Sequence, residues 1–165
     1  RPSYHYIDIR DSAGKFRVNI YHAPIWGILI NFSHELAQMD TNENKILYKD
    51  LSYKIVGLAM QVHNKLGFGF SEKVYENSTM ILFRREGIQA KQQTPITVYF
   101  EGEVVGDYYA DILVEDKIIL ELKSAEEIAD AHRSQVLSYL KATGLQLAII
   151  LNFGKEGLEY ERLVL

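Results

Sequence analysis

The sequence contains no cysteine, which excludes disulfide bonds and zinc sites built on thiolates. The absence is typical of proteins in a reducing compartment. No basic leader followed by an apolar stretch and a small-residue cleavage site is visible. We therefore expect a cytoplasmic protein.

An excess of basic residues is also missing, since 18 Lys and Arg stand against 22 Asp and Glu, for a formal net charge of -4. No overall positive field attracts the protein to nucleic acid or to anionic lipid. A polyanionic partner would have to be held at a local site, with metal ions offsetting the acidic groups. The most apolar early run, residues 23–32, is also much shorter than the roughly 20 residues that span a bilayer, so we expect no membrane segment.

The chain has 165 residues, of which 47% are hydrophobic, and this is enough for one core with an appendage. We predict an N-terminal extension over residues 1–38 and a main domain over residues 39–165. The pattern of the extension predicts two strands, at 15–22 and 23–32, and a short helix at 33–39. The pattern does not indicate what the extension does.

The main domain begins with two helices by its apolar spacing. The first covers 51–66 and ends at Gly67, and the second starts at Ser71 and ends at Gly87. The spacing predicts that the second helix buries Val74, Tyr75, Ser78, Ile81 and Leu82.

Three β-rich stretches follow and predict antiparallel strands at 95–100, 104–115 and 117–123. Helical spacing returns over 126–143 and ends at Gly144. Residues 145–153 are almost continuously apolar, as in a central strand covered on both faces, and 158–165 predict a strand beside it. The order is α, α, β, β, β, α, β, β, which indicates an α/β fold with a mixed central sheet flanked by helices.

Three charged residues, Asp111, Glu121 and Lys123, interrupt the apolar strands. Glu121 and Lys123 are two apart on one strand and share a face. A three-residue turn at 115–117, with Val114 opposite Ile118, would place Asp111 across from Glu121. Two facing carboxylates need a proton or a cation between them, and Mg²⁺ fits because it prefers oxygen ligands. Lys123 would then hold a phosphate oxygen or favour deprotonation of an attacking water.

A structural interpretation of the same residues stays open. In it, Asp111 and Lys123 form a salt bridge at the end of a strand, and Glu121 is solvated.

The pattern Asp111 followed by Glu121-Leu122-Lys123 resembles the D…(D/E)xK signature of the PD-(D/E)xK nuclease superfamily, whose αβββαβ core has the same order of elements. The likeness extends to a smaller family named for a GxxExxY motif, here Gly69, Glu72 and Tyr75 in "GFGFSEKVYE". It covers residues 50–160 and includes "VHNKLG", "HRSQVLSYLKATG" and "ILNFG". Ala110 stands where the superfamily has its proline, and Tyr109 where a basic residue is expected.

The resemblance implies roles for particular residues. Asp111 and Glu121 would ligate Mg²⁺ (or Mn²⁺) together with the Leu122 carbonyl, and Lys123 would be the catalytic lysine. Glu72 would be the acid of the first core helix, either a metal ligand or a carboxylate that suits the helix N-terminus.

A QxxxY pair, Gln135 and Tyr139, resembles an element that contacts DNA near the metal. Residues four apart share a helix face, and a tyrosine can stack on an unpaired base. In the alternative, Tyr139 belongs to the core and Gln135 satisfies a buried backbone group. His63 and His132 are each either structural or a ligand.

Together these features predict a Mg²⁺-dependent nuclease that hydrolyses DNA with a metal-activated water. The alternative is a catalytically silent module with a nuclease-like fold that serves nucleic-acid binding or protein assembly. The small size of the domain also leaves room for a homodimer or a larger complex.

Overall fold

The computed structural model describes residues 7–8, 17–18 and 46–165. The predicted boundary near Met39, the strand at 23–32 and the short helix at 33–39 lie outside these residues. Within the predicted strand at 15–22, residues 17 and 18 form part of the sheet.

The described elements follow the predicted order. Strands β1 (Ile7–Asp8) and β2 (Arg17–Val18) precede helices α1 (Lys49–Leu66) and α2 (Glu72–Arg85), strands β3 (Ala90–Phe100), β4 (Glu103–Val114) and β5 (Ile118–Lys123), helix α3 (Asp130–Thr143), and strands β6 (Leu147–Phe153) and β7 (Leu158–Val164).

These strands form one mixed sheet in the order β1-β2-β7-β6-β5-β4-β3. Only β5 and β6 pair in parallel among the described strands, and α3 connects them as a crossover helix. The α/β class and the mixed sheet flanked by helices are confirmed.

Helices cover the sheet on both faces. The face under α1 and α2 contains Ile112 and Leu120 in one apolar cluster. The face under α3 contains Ile119 and Ile150, which cluster with Val136 of that helix. Every residue of β6 is buried. The prediction of a central strand covered on both faces is therefore confirmed.

The predicted buried face of α2 is wrong by part of a turn. Tyr75 is buried as predicted, but Ile81 is exposed, and the other buried residues are Glu76, Thr79, Met80 and Phe83. Spacing alone selected the most apolar stripe, whereas packing against α1 and β3 rotates the helix. The rotation buries the carboxylate of Glu76 next to β3, where Gln92 and Gln93 donate to it.

Candidate active site

The site lies where β4 and β5 separate. Their ladder pairs Val114 with Ile118, as predicted, and its last pair is Ile112 with Leu120. The turn between them has three residues, with positive φ at Glu115 and Asp116. Beyond the ladder the Leu122 N–H donates to Asp111 Oδ2 at 2.7 Å. A side-chain carboxylate thus replaces the backbone acceptor that the ladder would have supplied.

Strand alternation breaks at this point on both β3 and β4. Ala110 packs in the cluster under α3, whereas Ile112, two residues later, packs in the cluster under α1 and α2. On β3, Gln93 adopts φ 50° between Gln92 and Thr94, which pair with Ile112 and Ala110. A left-handed backbone at a non-glycine residue is strained and is retained where the surroundings enforce it.

Glu121 and Lys123 form a largely buried ion pair, with Lys123 Nζ 2.8 Å from Glu121 Oε1. Glu121 is only 3% exposed. Its other oxygen, Oε2, is buried and accepts no hydrogen bond from any described residue. The structural interpretation is therefore wrong in its pairing, because Lys123 bonds Glu121 rather than Asp111 and Glu121 is not solvated.

Burial and the nearby Asp111 charge raise the pKa of Glu121 to about 7, against the opposing effect of the Lys123 hydrogen bond. Burial also raises the pKa of Asp111, with contributions from Glu76 and Glu72, although the Leu122 N–H and Lys123 oppose the rise. The two carboxyl groups therefore share a region in which negative charge is poorly compensated.

Helix α2 directs two acidic side chains toward this region. Glu72 is exposed at its first turn, and the Ser124 N–H, just after β5, donates to Glu72 Oε1 at 3.4 Å. Ser71 is the N-cap residue but makes no side-chain capping bond. The position next to β5 suits either role considered for Glu72, and its role as a metal ligand stays a prediction.

Sequence reasoning missed Glu76 and Gln93. The Gln93 amide donates to Glu76 Oε2 at 3.0 Å and to Asp111 Oδ1 at 3.4 Å, and so bridges the two carboxylates. Lys73 and Gln92 also donate to Glu76. Glu76 lies one helical turn after Glu72, and this spacing was the signal that could have identified it.

The GxxExxY residues organise the loop before α2. Gly69 has φ 107°, in the region that favours glycine. Tyr75 donates its hydroxyl proton to the Gly67 carbonyl at 2.8 Å, and its ring stacks on Phe153 with centroids 4.2 Å apart. The Ser124 hydroxyl donates to the Phe70 carbonyl at 3.1 Å. The loop is therefore fixed against the end of β5, beside the charged residues.

Helix α3 contributes Gln135 and Tyr139. The Gln135 amide donates to the Tyr139 hydroxyl at 2.6 Å, and its oxygen lies 3.5 Å from Lys123 Nζ. Gln135 thus contacts side chains rather than a buried backbone group, which corrects that part of the alternative. Tyr139 is 2% exposed, so its ring is not available for stacking on a base. The role of the pair in nucleic-acid binding stays a prediction.

The two histidines have structural contacts. His63 Nε2 lies 2.8 Å from the Gly154 carbonyl oxygen. His132 Nδ1 accepts the Ala129 N–H at 3.1 Å, which caps the start of α3.

The donor set fits a hard divalent cation. Asp111 and Glu121 offer carboxylate oxygens, one of them without a hydrogen bond, and such oxygens are the ligands that Mg²⁺ prefers. The N–H and C=O of a strand residue point to the same edge, so the Leu122 carbonyl faces β4 as its N–H does. Within the described part of the chain, no three His, Cys, Asp or Glu side chains form a preformed metal cluster.

Residues 49–163 match the model of the PD-(D/E)XK nuclease superfamily. The chain belongs to this superfamily. No curated protein is significantly similar in sequence to this PD-(D/E)XK chain.

Two solved structures resemble the fold at 11% identity each. The crystal structure of SSO0001 has a TM-score of 0.45, covering 87% of this chain and 79% of its own. The alkaline exonuclease from Laribacter hongkongensis has a TM-score of 0.42, covering 73% and 72%. Similarity at this level carries no information about activity. Among the described helices, none has the length and apolar character needed to cross a bilayer.

Proposed function

We propose that this protein is a divalent-metal-dependent nuclease that hydrolyses phosphodiester bonds of DNA with Mg²⁺ or Mn²⁺. The observation that carries the proposal is the buried carboxylate Glu121, which has an unbonded oxygen, pairs with Lys123 and is close enough to Asp111 for the two negative charges to repel each other. Acidic groups buried close together in this way are unfavourable without a cation. Membership in a nuclease superfamily supports the same conclusion.

Three groups would hold the ion in this proposal: the carboxylates of Asp111 and Glu121 and the Leu122 carbonyl. Glu72, which lies next to the end of β5, would be a further ligand. A bound divalent ion lowers the pKa of an attacking water and offsets charge on the phosphate.

Lys123 would contact the substrate. Its ammonium bonds Glu121 at 2.8 Å and lies 3.5 Å from Gln135. With a cation bound at Glu121, the Lys123 ammonium would be available to hold a phosphate oxygen or to stabilise a deprotonated water. Gln135 would orient the Lys123 side chain and, with Tyr139, lie close to the bound nucleic acid.

We also infer membership in the GxxExxY family within the superfamily. The support is the local role of its residues, since Gly69 allows the loop to turn and Tyr75 fixes that loop against Phe153 of β6.

Cleavage assays test the proposal. We expect the wild-type protein to cleave single-stranded or duplex DNA in Mg²⁺ or Mn²⁺, and Lys123→Ala to lower the rate by about a hundredfold or more. Lys117→Ala, at an exposed position in the β4–β5 turn, is the matched control and should cleave normally. Full activity in Lys123→Ala would refute the proposed mechanism.

Calorimetry with Mn²⁺ separates this proposal from the silent module. Binding that Glu121→Ala abolishes supports the nuclease, whereas no binding to the wild type favours the module. Activity from a monomer in solution would exclude a requirement for a homodimer or a larger complex.

A further inference from the structure

The outer part of the β3–β4 hairpin, residues 95–109, carries a concentration of exposed apolar side chains, and we call it the hairpin arm. They are Tyr99, Phe100, Val104, Val105, Tyr108 and Tyr109. Phe100 pairs with Glu103, and the two turn residues between them have positive φ, as in tight hairpin turns. A concentration of exposed apolar side chains on a paired, regular element indicates an interaction site.

Tyr108 makes the arm continuous with the candidate active site. Its ring centroid lies 5.8 Å from that of Tyr139. Tyr139 is hydrogen-bonded by Gln135, whose oxygen lies 3.5 Å from Lys123 Nζ. Tyr108 also pairs with Ile96, which packs in the cluster under α3. The ring therefore lies on the same side of the sheet as Lys123.

The Tyr108 ring is held in place although it is 45% exposed. A Cβ atom at Gly106 would lie 3.0 Å from Tyr108 Cε2, so the ring covers the backbone of this glycine. Contact with Gly106 on one side and Tyr139 on the other fixes the ring without covering it. A rigid exposed ring loses little conformational entropy when a flat ligand stacks on it.

The absence of basic residues limits which parts of a nucleic acid the arm can bind. Residues 92–116 contain no Lys, Arg or His, whereas Glu101, Glu103 and Asp107 lie on the arm. Phosphates therefore gain no ion pair there, but the face of a base can still stack on an aromatic ring. A duplex presents phosphates outward and keeps its base faces covered. Stacking is therefore the attraction that the arm offers to a nucleic acid, and only unpaired bases have faces free for it.

We propose that Tyr108, on the α3 side of the hairpin arm, stacks unpaired bases and so directs single-stranded substrate to the Asp111–Glu121–Lys123 site. This inference rests on the proposed nuclease function for its substrate.

Fluorescence anisotropy with a labelled oligothymidine, and with a duplex of equal length, tests the arm separately from cleavage when Ca²⁺ replaces Mg²⁺. We expect tighter binding of the single strand, and Tyr108→Ala to weaken it about fivefold or more. Tyr108→Leu retains an apolar contact with Tyr139 and should show the same loss, whereas Tyr108→Phe should bind like the wild type. Tyr109→Ala is the matched control, since Tyr109 is 57% exposed but faces the other side of β4.

Several results would overturn the inference. They are unchanged binding in both Tyr108→Ala and Tyr108→Leu, an equal loss in Tyr109→Ala, or a preference for duplex. A dimer in sedimentation analysis that Tyr108→Leu dissociates would assign the surface to a second copy of the chain instead. If the wild type cleaves DNA and the Tyr108 variants bind single strands as the wild type does, the proposed role of the arm is refuted and the nuclease proposal is not. If single-strand binding depends on Tyr108 but the wild type does not cleave DNA, the nuclease proposal is refuted and the role of the arm is not.

Discussion

The two ends of the β4–β5 pair have opposite chemistry. Next to the turn, Ile112, Val114, Ile118 and Leu120 are fully buried and their strands are joined by a regular ladder. Beyond the ladder the same strands carry Asp111, Glu121 and Lys123, and a carboxylate takes the place of a backbone acceptor. The first end contributes stability through apolar burial, whereas the second places charges where they are unfavourable unless a ligand is bound.

The largest effect should come from removing a charge at the second end. Asp111→Asn retains an oxygen for the Leu122 N–H but removes a proposed metal ligand. We expect DNA cleavage to fall about a hundredfold or more with little loss of stability. Asp116→Asn, in the exposed turn, is the matched control. If Asp111→Asn cleaved DNA at the wild-type rate, the charged end of the strand pair would not have the catalytic role that we propose for it.

Truncation of a buried side chain at the apolar end, next to the turn, should lower stability and leave metal binding unchanged. Leu120→Ala removes a fully buried side chain, and we expect the free energy of unfolding in denaturant to fall by about 2–5 kcal/mol. Folded Leu120→Ala should bind Mn²⁺ as the wild type does. Val104→Ala, at an exposed position on β4, should change the free energy of unfolding by less than about 0.5 kcal/mol. A large loss of Mn²⁺ affinity in Leu120→Ala would show that the two ends are coupled.

The pH dependence of the free energy of unfolding should show how far ionisation of the buried Glu121 destabilises the folded state. The folded pKa of about 7 exceeds the ordinary glutamate value of 4.5, so between these values the folded state binds more protons than the unfolded state. The Glu121 contribution is therefore present below pH 4.5 and is lost as the pH rises through 7, in total roughly 3 kcal/mol.

Denaturant unfolding of the metal-free protein across this pH range measures the effect. Glu121→Gln should lack this part of the decline, and Mg²⁺ should reduce the decline in the wild type. Parallel pH profiles for the two proteins would contradict the assignment.

The smallest effect should come from Gln93, whose amide links Glu76 of α2 to Asp111 of β4. Gln93→Met keeps the side-chain length but removes the amide that donates to Glu76 and Asp111. Both carboxylates keep other donors, so we expect a loss of about 1 kcal/mol in the free energy of unfolding. Gln89→Met, at an exposed position before β3, provides the comparison. A loss no greater than that of the control would show that the bridge is dispensable.

Much of the β4–β5 arrangement could be predicted because it depends on local features. A three-residue turn and the apolar alternation fix the pairing of Val114 with Ile118. The order of helices and strands likewise follows from changes in apolar period along the chain. The burial of Glu121 did not follow, because it depends on how closely α3 packs over the strand.

The missed residues show the limit of local patterns. Glu76 reaches the site because α2 rotates against its neighbours, and spacing placed Ile81 on the buried face instead. Gln93 reaches it through a left-handed backbone on β3, which an alternating strand pattern does not predict.

The sequence by itself determined the element order and the pairing of Val114 with Ile118, because turn length and apolar period act between near neighbours in the chain. Only the tertiary structure decided that Lys123 pairs with Glu121, that the Tyr139 ring lies beside Tyr108, and that Gln93 links Glu76 to Asp111. Those contacts depend on the packing of separate helices and strands, and small rotations of each element select among several nearby polar partners.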